Sequence, residues 1–140
     1  MTEPLPEGFK PLFRSSPVIE MIGPVYSRGE GAGLELGLRA ERKHCNRRGT
    51  VHGGILATLA DIALGYSLAF STQPPTAAIT ANLSIDFAGA AKEGDWLEAK
   101  VDFHKLGSRL AFANCYINVG EQRVARASAV FLVGGTLAEG

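Results

Sequence analysis

The stretch VHGGILATLADIALGYSLAF, residues 51–70, decides how this chain folds. Gly53 and Gly54 open a run of good helix formers that carries apolar residues on almost every side. A helix that is hydrophobic all round belongs inside a protein rather than on its surface. The following STQPPT ends it, because Pro74 and Pro75 cannot continue a helix. The apolar part, Ile55 to Phe70, is interrupted by Asp61 and falls short of the roughly 20 apolar residues that span a bilayer. A buried core helix is expected, with no membrane segment.

Downstream of this helix the sequence reads as strands. In AAITANLSIDFAG the residues Ile79, Ala81, Leu83, Ile85 and Phe87 alternate with Thr80, Asn82, Ser84 and Asp86, the strand period of two. AKEGD turns the chain, and WLEAKVDFHK alternates again with Leu97, Ala99, Val101 and Phe103 on one face. LGS turns, RLAFANCYINV forms a third run, GEQ turns, and RVARASAVFLV forms a fourth. Upstream, Pro4, Pro6, Pro11 and Pro17 forbid a continuous helix over residues 1–17, which read as an extended arm with a short turn around Phe9 to Phe13. Val18 to Arg28 reads as a strand, with Pro24 at a bulge or edge. Gly29 to Gly33 turns the chain into a second strand from Leu34 to Leu38. The expected order is therefore two strands, one buried helix and four strands, with no internal repeat. Short glycine turns favour antiparallel pairing. An antiparallel sheet wrapped around one long central helix makes a two-layer α+β domain, here residues 18–140 behind the 1–17 arm.

Composition agrees with one domain. The chain has 140 residues, 46% of them hydrophobic and 20% charged, within the ordinary range for a globular protein. Fourteen basic and fourteen acidic side chains cancel, which excludes nucleic-acid binding driven by overall charge. The N-terminal MTEPLPEGFK carries acids and prolines where a signal peptide needs a basic start and an apolar run. Two cysteines, Cys45 and Cys115, do not make a disulfide framework. A reduced, cytoplasmic protein is expected.

Asp61 is the sharpest chemical signal. It is the only charged side chain between His52 and Thr76, set among Leu59, Ile62 and Leu64. A buried carboxylate is costly unless paired or used, and a desolvated one suits a general base or nucleophile. The competing reading is a partly exposed position, or an Asp satisfied by a hydroxyl such as that of Thr58. Just upstream lie Asn46, Gly49 and His52-Gly53-Gly54. Glycines at a helix start leave the first N–H groups unshielded, where with the helix dipole they could hold an oxyanion; the alternative is a tight turn that needs glycine for steric reasons alone. Gly53 and Asp61 are eight residues apart on one helix, hence about 12 Å. They cannot flank one small reacting group, so if both act, a second copy of the chain supplies one of them.

The stretch HCNRRGTVHGGILATLADIALGYSLAF, residues 44–70, resembles the signature of hotdog-fold acyl-CoA thioesterases of the phenylacetic-acid-pathway type, in which an Asn and a G-x-x-HGG turn precede a helix that carries an acid. The strand order matches the hotdog fold from about Val18 to Val133. The resemblance implies that Asp61 activates water or attacks directly, that the Gly53 N–H polarises the thioester carbonyl with Asn46 assisting, and that these groups come from opposite subunits. It also implies a hydroxyl residue on the strand after the helix. Thr80 matches, although Asn82 and Ser84 share its face and strand propensity alone would explain a Thr. His52, with Gly54 in the same turn, receives a positioning role by hydrogen bonds rather than direct proton transfer. The resemblance implies no cofactor, and at least a homodimer, extending to a dimer of dimers.

Arg39, Arg42, Lys43, Arg47 and Arg48 form the one local basic cluster, suited to coenzyme A phosphates, with Arg47 and Arg48 inside the stretch that carries the resemblance. A solvated loop balanced by Glu35 and Glu41 is the plainer reading. His44 and His104 show no metal-ligand spacing. Cys45 beside His44 makes no catalytic pair, and Cys115 reads as core. Tyr66, Phe70, Phe87 and the arm are expected to shape the acyl pocket. Two rivals stand beside thioester hydrolysis: a hotdog hydratase or dehydratase, which leaves the thioester intact, and a non-catalytic acyl-CoA-binding module, which binds without turnover.

Overall fold

A computed structural model describes residues 3–136. Its centre is α2, Gly53–Ala69, which buries Leu56, Leu59, Ala60, Ala63, Leu64, Ser67 and Leu68. Around it runs one antiparallel sheet of seven strands: β1 (Lys10–Pro11), β2 (Tyr26–Arg28), β3 (Glu35–Arg39), β4 (Thr76–Phe87), β5 (Trp96–Leu106), β6 (Leu110–Val119) and β7 (Gln122–Thr136). Their spatial order is β1-β2-β3-β5-β6-β7-β4. This is the helix-in-sheet arrangement of the hotdog fold.

Small side chains let the sheet wrap the helix. On β6 and β7 the inward positions pair Ala113 with Ala129, Cys115 with Ala127 and Ile117 with Ala125, so the middle of the sheet presents a shallow trough. The leucines of α2 fill it, large against small, and Leu59, Leu64, Ala113 and Ala127 are all buried. Leu97 and Ala99 on β5 and Leu36 and Leu38 on β3 continue this wall.

Three expectations are corrected. The strand expected over Val18–Arg28 is instead a short helix, α1 (Pro17–Ile22), followed by β2. Ser16 caps α1 by accepting from the Ile19 N–H at 3.3 Å, and Pro17 occupies the first turn, where its missing N–H costs nothing. Ile19 and Ile22 then face the core while Val18 and Met21 face out, a helical spacing rather than an alternating one. The 91–95 turn does not make neighbours of β4 and β5: β5 pairs with β3, and β4 lies at the far edge against β7. The arm is extended, and it is also tied down. Lys10 and Pro11 pair with Ser27 and Tyr26, and Phe9 is buried edge-on against Trp96 at 5.1 Å.

The third correction bears on chemistry. β4 does not keep one alternation. Thr80 pairs with Phe131 and Asn82 with Val130, so Ala81 is an extra residue, a β-bulge. Leu83 and Ile85 pack on the core as expected. Upstream of the bulge the phase inverts: Ile79 is 68% exposed, and Thr80 faces α2.

Candidate active site

The turn into α2 is built by hydrogen bonds from several distant segments. His44 is buried; its Nδ1 accepts from the Glu41 N–H at 2.8 Å, and its Nε2 donates to the Ile22 carbonyl at 2.6 Å. Its own carbonyl accepts from the His52 N–H at 2.8 Å. His44 therefore joins the end of α1 to the first residue of the HGG turn. The sequence offers it as a metal ligand or a partner of Cys45, and neither reading anticipates this structural role. The available signal was a Glu41-to-His44 spacing that closes a capping box across a short 3₁₀ turn, Arg42–His44.

Asn46 closes the loop that follows. Its carboxamide oxygen accepts from the Arg48 N–H at 2.9 Å and the Thr50 N–H at 3.2 Å, while its Nδ2 donates to Thr50 Oγ1 at 2.8 Å. These bonds use the oxygen twice and one of the two amide hydrogens.

His52 is the N-cap of α2. Its Nδ1 accepts from the Gly54 N–H at 3.0 Å, which makes Nδ1 the unprotonated ring nitrogen in this state. The Gly54 donor is thus occupied. The Gly53 N–H carries no acceptor among the described residues, and it lies at the positive end of the helix dipole. A Cβ on residue 53 would stand 2.9 Å from Phe87 Cζ, so only glycine brings this N–H and the Phe87 ring so close together.

Two turns further along α2, Asp61 is half-buried and accepts a hydrogen bond from Thr80 Oγ1 at 2.8 Å. Thr58 does not serve it, since the Thr58 hydroxyl donates to the Gly54 carbonyl. The Ala81 bulge is what aims Thr80 at the helix; Asn82, one residue beyond, is turned away.

Asp61 and Thr80 line a cleft of about 480 Å³. Ile62, Gly65, Ala69, Ala78 and Phe131 give it apolar walls, and Tyr66, Phe70 and the Arg14–Pro17 segment complete its lining. Phe13 packs edge-on against Phe70 at 4.9 Å and leans on Tyr66 at 6.1 Å. Burial pushes the Tyr66 hydroxyl's pKa upward, while the Arg14 guanidinium pulls it the other way. Of the three aromatic residues expected to shape the pocket, Tyr66 and Phe70 line this cleft, whereas Phe87 lies beside Gly53.

Within one chain the two halves of the expected site stay apart. Asp61 and Thr80 sit in the cleft; Gly53 is about 12 Å away along the helix axis. Asn46, Arg42 and Arg47 line a separate hollow of about 370 Å³ with Cys45, Gly49 and Glu93. Of the basic cluster, Arg39 is engaged with the Gly94 carbonyl, Glu3 and the Trp96 face, and Lys43 donates to the Gly23 carbonyl. Arg42, Arg47 and Arg48 are exposed.

A helix bearing one acid, a hydroxyl aimed at it and a glycine N–H at its start, all held in a hotdog sheet, define a class of hydrolase. The profile of the thioesterase superfamily matches residues 48–126, which contain Gly53, Asp61 and Thr80, and the chain belongs to that family. It is 51% identical over 128 residues to a Pseudomonas aeruginosa protein that carries an esterase name, covering 91% of this chain and 96% of that one. It is 30% identical to mouse acyl-coenzyme A thioesterase 13, with 81% of each chain covered. The solved PaaI protein from the phenylacetic acid degradation operon of Escherichia coli superposes with a TM-score of 0.79 at 22% identity, covering 88% of each chain, a likeness of fold. The activity class is thioester hydrolysis. No helix among the described residues is long and apolar enough to cross a membrane.

Proposed function

We propose that this protein hydrolyses an acyl-coenzyme A thioester to the free acid and coenzyme A, and that its working unit is at least a homodimer. The observation that carries the reading is the 2.8 Å bond from Thr80 to Asp61 in a cleft whose lining is mostly apolar. A hydroxyl that donates to one carboxylate oxygen fixes the plane of the group and leaves the other oxygen directed at a guest. The acyl group lies along the apolar walls, which places its carbonyl carbon beside Asp61.

Two routes share this geometry. In one, Asp61 takes a proton from water as the water oxygen attacks the carbonyl. In the other, the carboxylate attacks directly and water hydrolyses the resulting anhydride. Either way the carbonyl oxygen gains negative charge, and a backbone N–H at a helix start is suited to hold it. The donor would be the Gly53 N–H of a second copy, because this chain's own Gly53 is about 12 Å from its Asp61. The tetrahedral intermediate then collapses with cleavage of the C–S bond, and the coenzyme A thiolate leaves and takes up a proton.

The remaining residues support these roles. His52 occupies the Gly54 N–H and so leaves Gly53 as the exposed donor. Asn46 holds the loop in shape, and its second amide hydrogen can assist at the oxyanion. Arg47 and Arg48, exposed on that loop, would meet coenzyme A phosphates, and pairing of two dimers would give a homotetramer. The test is release of thiol and free acid from a panel of aryl-acetyl, benzoyl, short and medium acyl-CoA thioesters, repeated with Asp61→Asn. Release by the native protein and its loss in the variant is the expected result. Binding without release, or chemistry that leaves the thioester intact, refutes the proposal.

A further inference from the structure

The cleft follows one face of α2. Asp61 and Ile62, Gly65 and Tyr66, and Ala69 and Phe70 all line it, pairs that recur every four residues and so share one side of a helix. Asp61 is the first of these and Phe70 the last. They are nine residues apart, which separates them by about 13 Å along the helix axis. A second hollow, of about 530 Å³, has Lys10, Phe13, Glu30, Gln73 and Phe70 in its lining. Among the described residues, Phe70 is the one common to both linings.

Phe70 is held in this place from several directions. The Phe13 ring meets its ring edge-on at 4.9 Å, and the Tyr66 ring does so at 6.0 Å. The Phe70 N–H donates to the Tyr66 carbonyl at 3.0 Å. The turn before β3 closes on its carbonyl, since a Cβ on residue 31 would stand 3.2 Å from that oxygen and Gly31 has none. Phe13 lines the second hollow and not the first, and its own backbone is anchored on both flanks: the Leu12 N–H donates to the Val25 carbonyl at 3.0 Å, and Ser16 caps α1.

An acyl chain that starts beside Asp61 and runs down this face meets apolar wall as far as Phe70. Each methylene buried on the way contributes about fourfold in binding. An extended chain advances about 1.2 Å per bond, so about eight to ten carbons fill the length up to the Phe70 ring. A longer chain has to displace that ring from its aromatic contacts. What it then reaches is a hollow with Lys10, Glu30 and Gln73 in its lining, where a methylene gains less and the polar groups lose water.

We propose that Phe70, backed by Phe13, is the stop that sets acyl-chain length, so that among straight-chain substrates the protein prefers medium-chain thioesters. This rests on the acyl-CoA thioesterase reading above. The test is kcat/KM for saturated acyl-CoA thioesters from butyryl to palmitoyl, each at concentrations where it is monomeric. For the native protein the values should rise by about fourfold per methylene and then break, levelling or falling, at about eight to ten carbons. Phe70→Ala, which joins the two hollows, should move the break to chains longer by two carbons or more. Phe70→Leu should move it less, and Phe13→Ala should move it in the same direction. A native series that rises without a break to palmitoyl overturns the inference, and so does a Phe70→Ala variant that lowers every length equally and leaves the break in place. If Phe70→Ala does not fold, Phe70→Leu and Phe13→Ala decide by the same shift. Thiol release with no dependence on length refutes the stop alone. Failure of every length to release thiol refutes the underlying activity as well.

Discussion

Replacing Thr80 by Val removes one hydroxyl and little else. Val matches Thr in shape and suits a strand at least as well, so the bulge and the pairing with Phe131 should persist. What is lost is the 2.8 Å bond to Asp61 Oδ1. Hydrogen bonds to charged groups contribute about 1.5–3 kcal/mol. If that energy serves to hold the carboxylate in its reacting orientation, it appears in the barrier, where about 1.4 kcal/mol corresponds to tenfold in rate. The expected fall in kcat is therefore about 10- to 100-fold, with KM nearly constant because the acyl walls are untouched. Stability should move by no more than about 1 kcal/mol, since Thr80 is exposed in the single chain and its partner can turn to water. Thr80→Ser, which keeps the donor, should recover most of the rate. The assay is continuous thiol release with the best acyl-CoA found, alongside a thermal melt of each variant. A Thr80→Val protein with native kcat, or a Thr80→Ser protein as impaired as the Val variant, would refute the argument that this hydroxyl aims the carboxylate.

Asp61→Asn keeps the side-chain shape and the acceptor for Thr80 but deletes basicity, so thiol release should fall by about 10²–10⁴ while the melting temperature stays nearly unchanged. A mixture of Gly53→Ala and Asp61→Asn chains, each poorly active alone, should regain activity after subunit exchange; a mixture that exchanges yet stays inactive would mean that both groups act within one chain. If Arg42, Arg47 or Arg48 grips the nucleotide, added salt should raise KM for the coenzyme A thioester much more than for the truncated pantetheine thioester, and neutralising these residues should remove the difference. Burial pushes the Cys115 thiol from 9.0 up to about 12, so the unfolded chain loses this proton first. Stability should therefore decline as pH rises from about 9 towards 12, and Cys115→Ala should flatten the decline seen in chemical denaturation.

The central helix and the four long strands were legible because their signals are local and strong. Gly53 and Pro74 bracket a run with only one charge, and Leu97, Ala99, Val101 and Phe103 alternate without a break. The stretch Val18–Ile22 was misread because its β-branched residues suggest a strand, whereas Ser16 and Pro17 carry the start signal of a helix that is only 6 residues long. The position of β4 was not legible from chain order, since what places it against β7 is mutual burial of faces rather than loop length. Asp61 stood out by its isolation in an apolar run. Its partner Thr80 is named only by the family resemblance, with Asn82 and Ser84 left beside it, because a bulge at an alanine leaves no compositional mark. Arg14 was hidden for a related reason: nothing local reveals that an arm rich in proline returns to line the cleft, and that depends on Phe9 meeting Trp96 and Phe13 meeting Phe70.

The bulge at Ala81 makes residue count, rather than residue type, the information stored at that point of the chain. Many side chains would serve at position 81, where nothing in the core depends on the methyl group. A change of length by one residue is different in kind. With Ala81 deleted, either Thr80 turns outward and Ile79 takes its place before Asp61, or Leu83 and Ile85 turn away from the core, for the pleat allows no intermediate phase. A catalogue of substitutions would rate this position as tolerant, while a catalogue of single-residue deletions would mark it among the most sensitive in the strand. The site thus depends on a parity, odd or even, carried by a stretch of chain whose individual letters are almost free to vary.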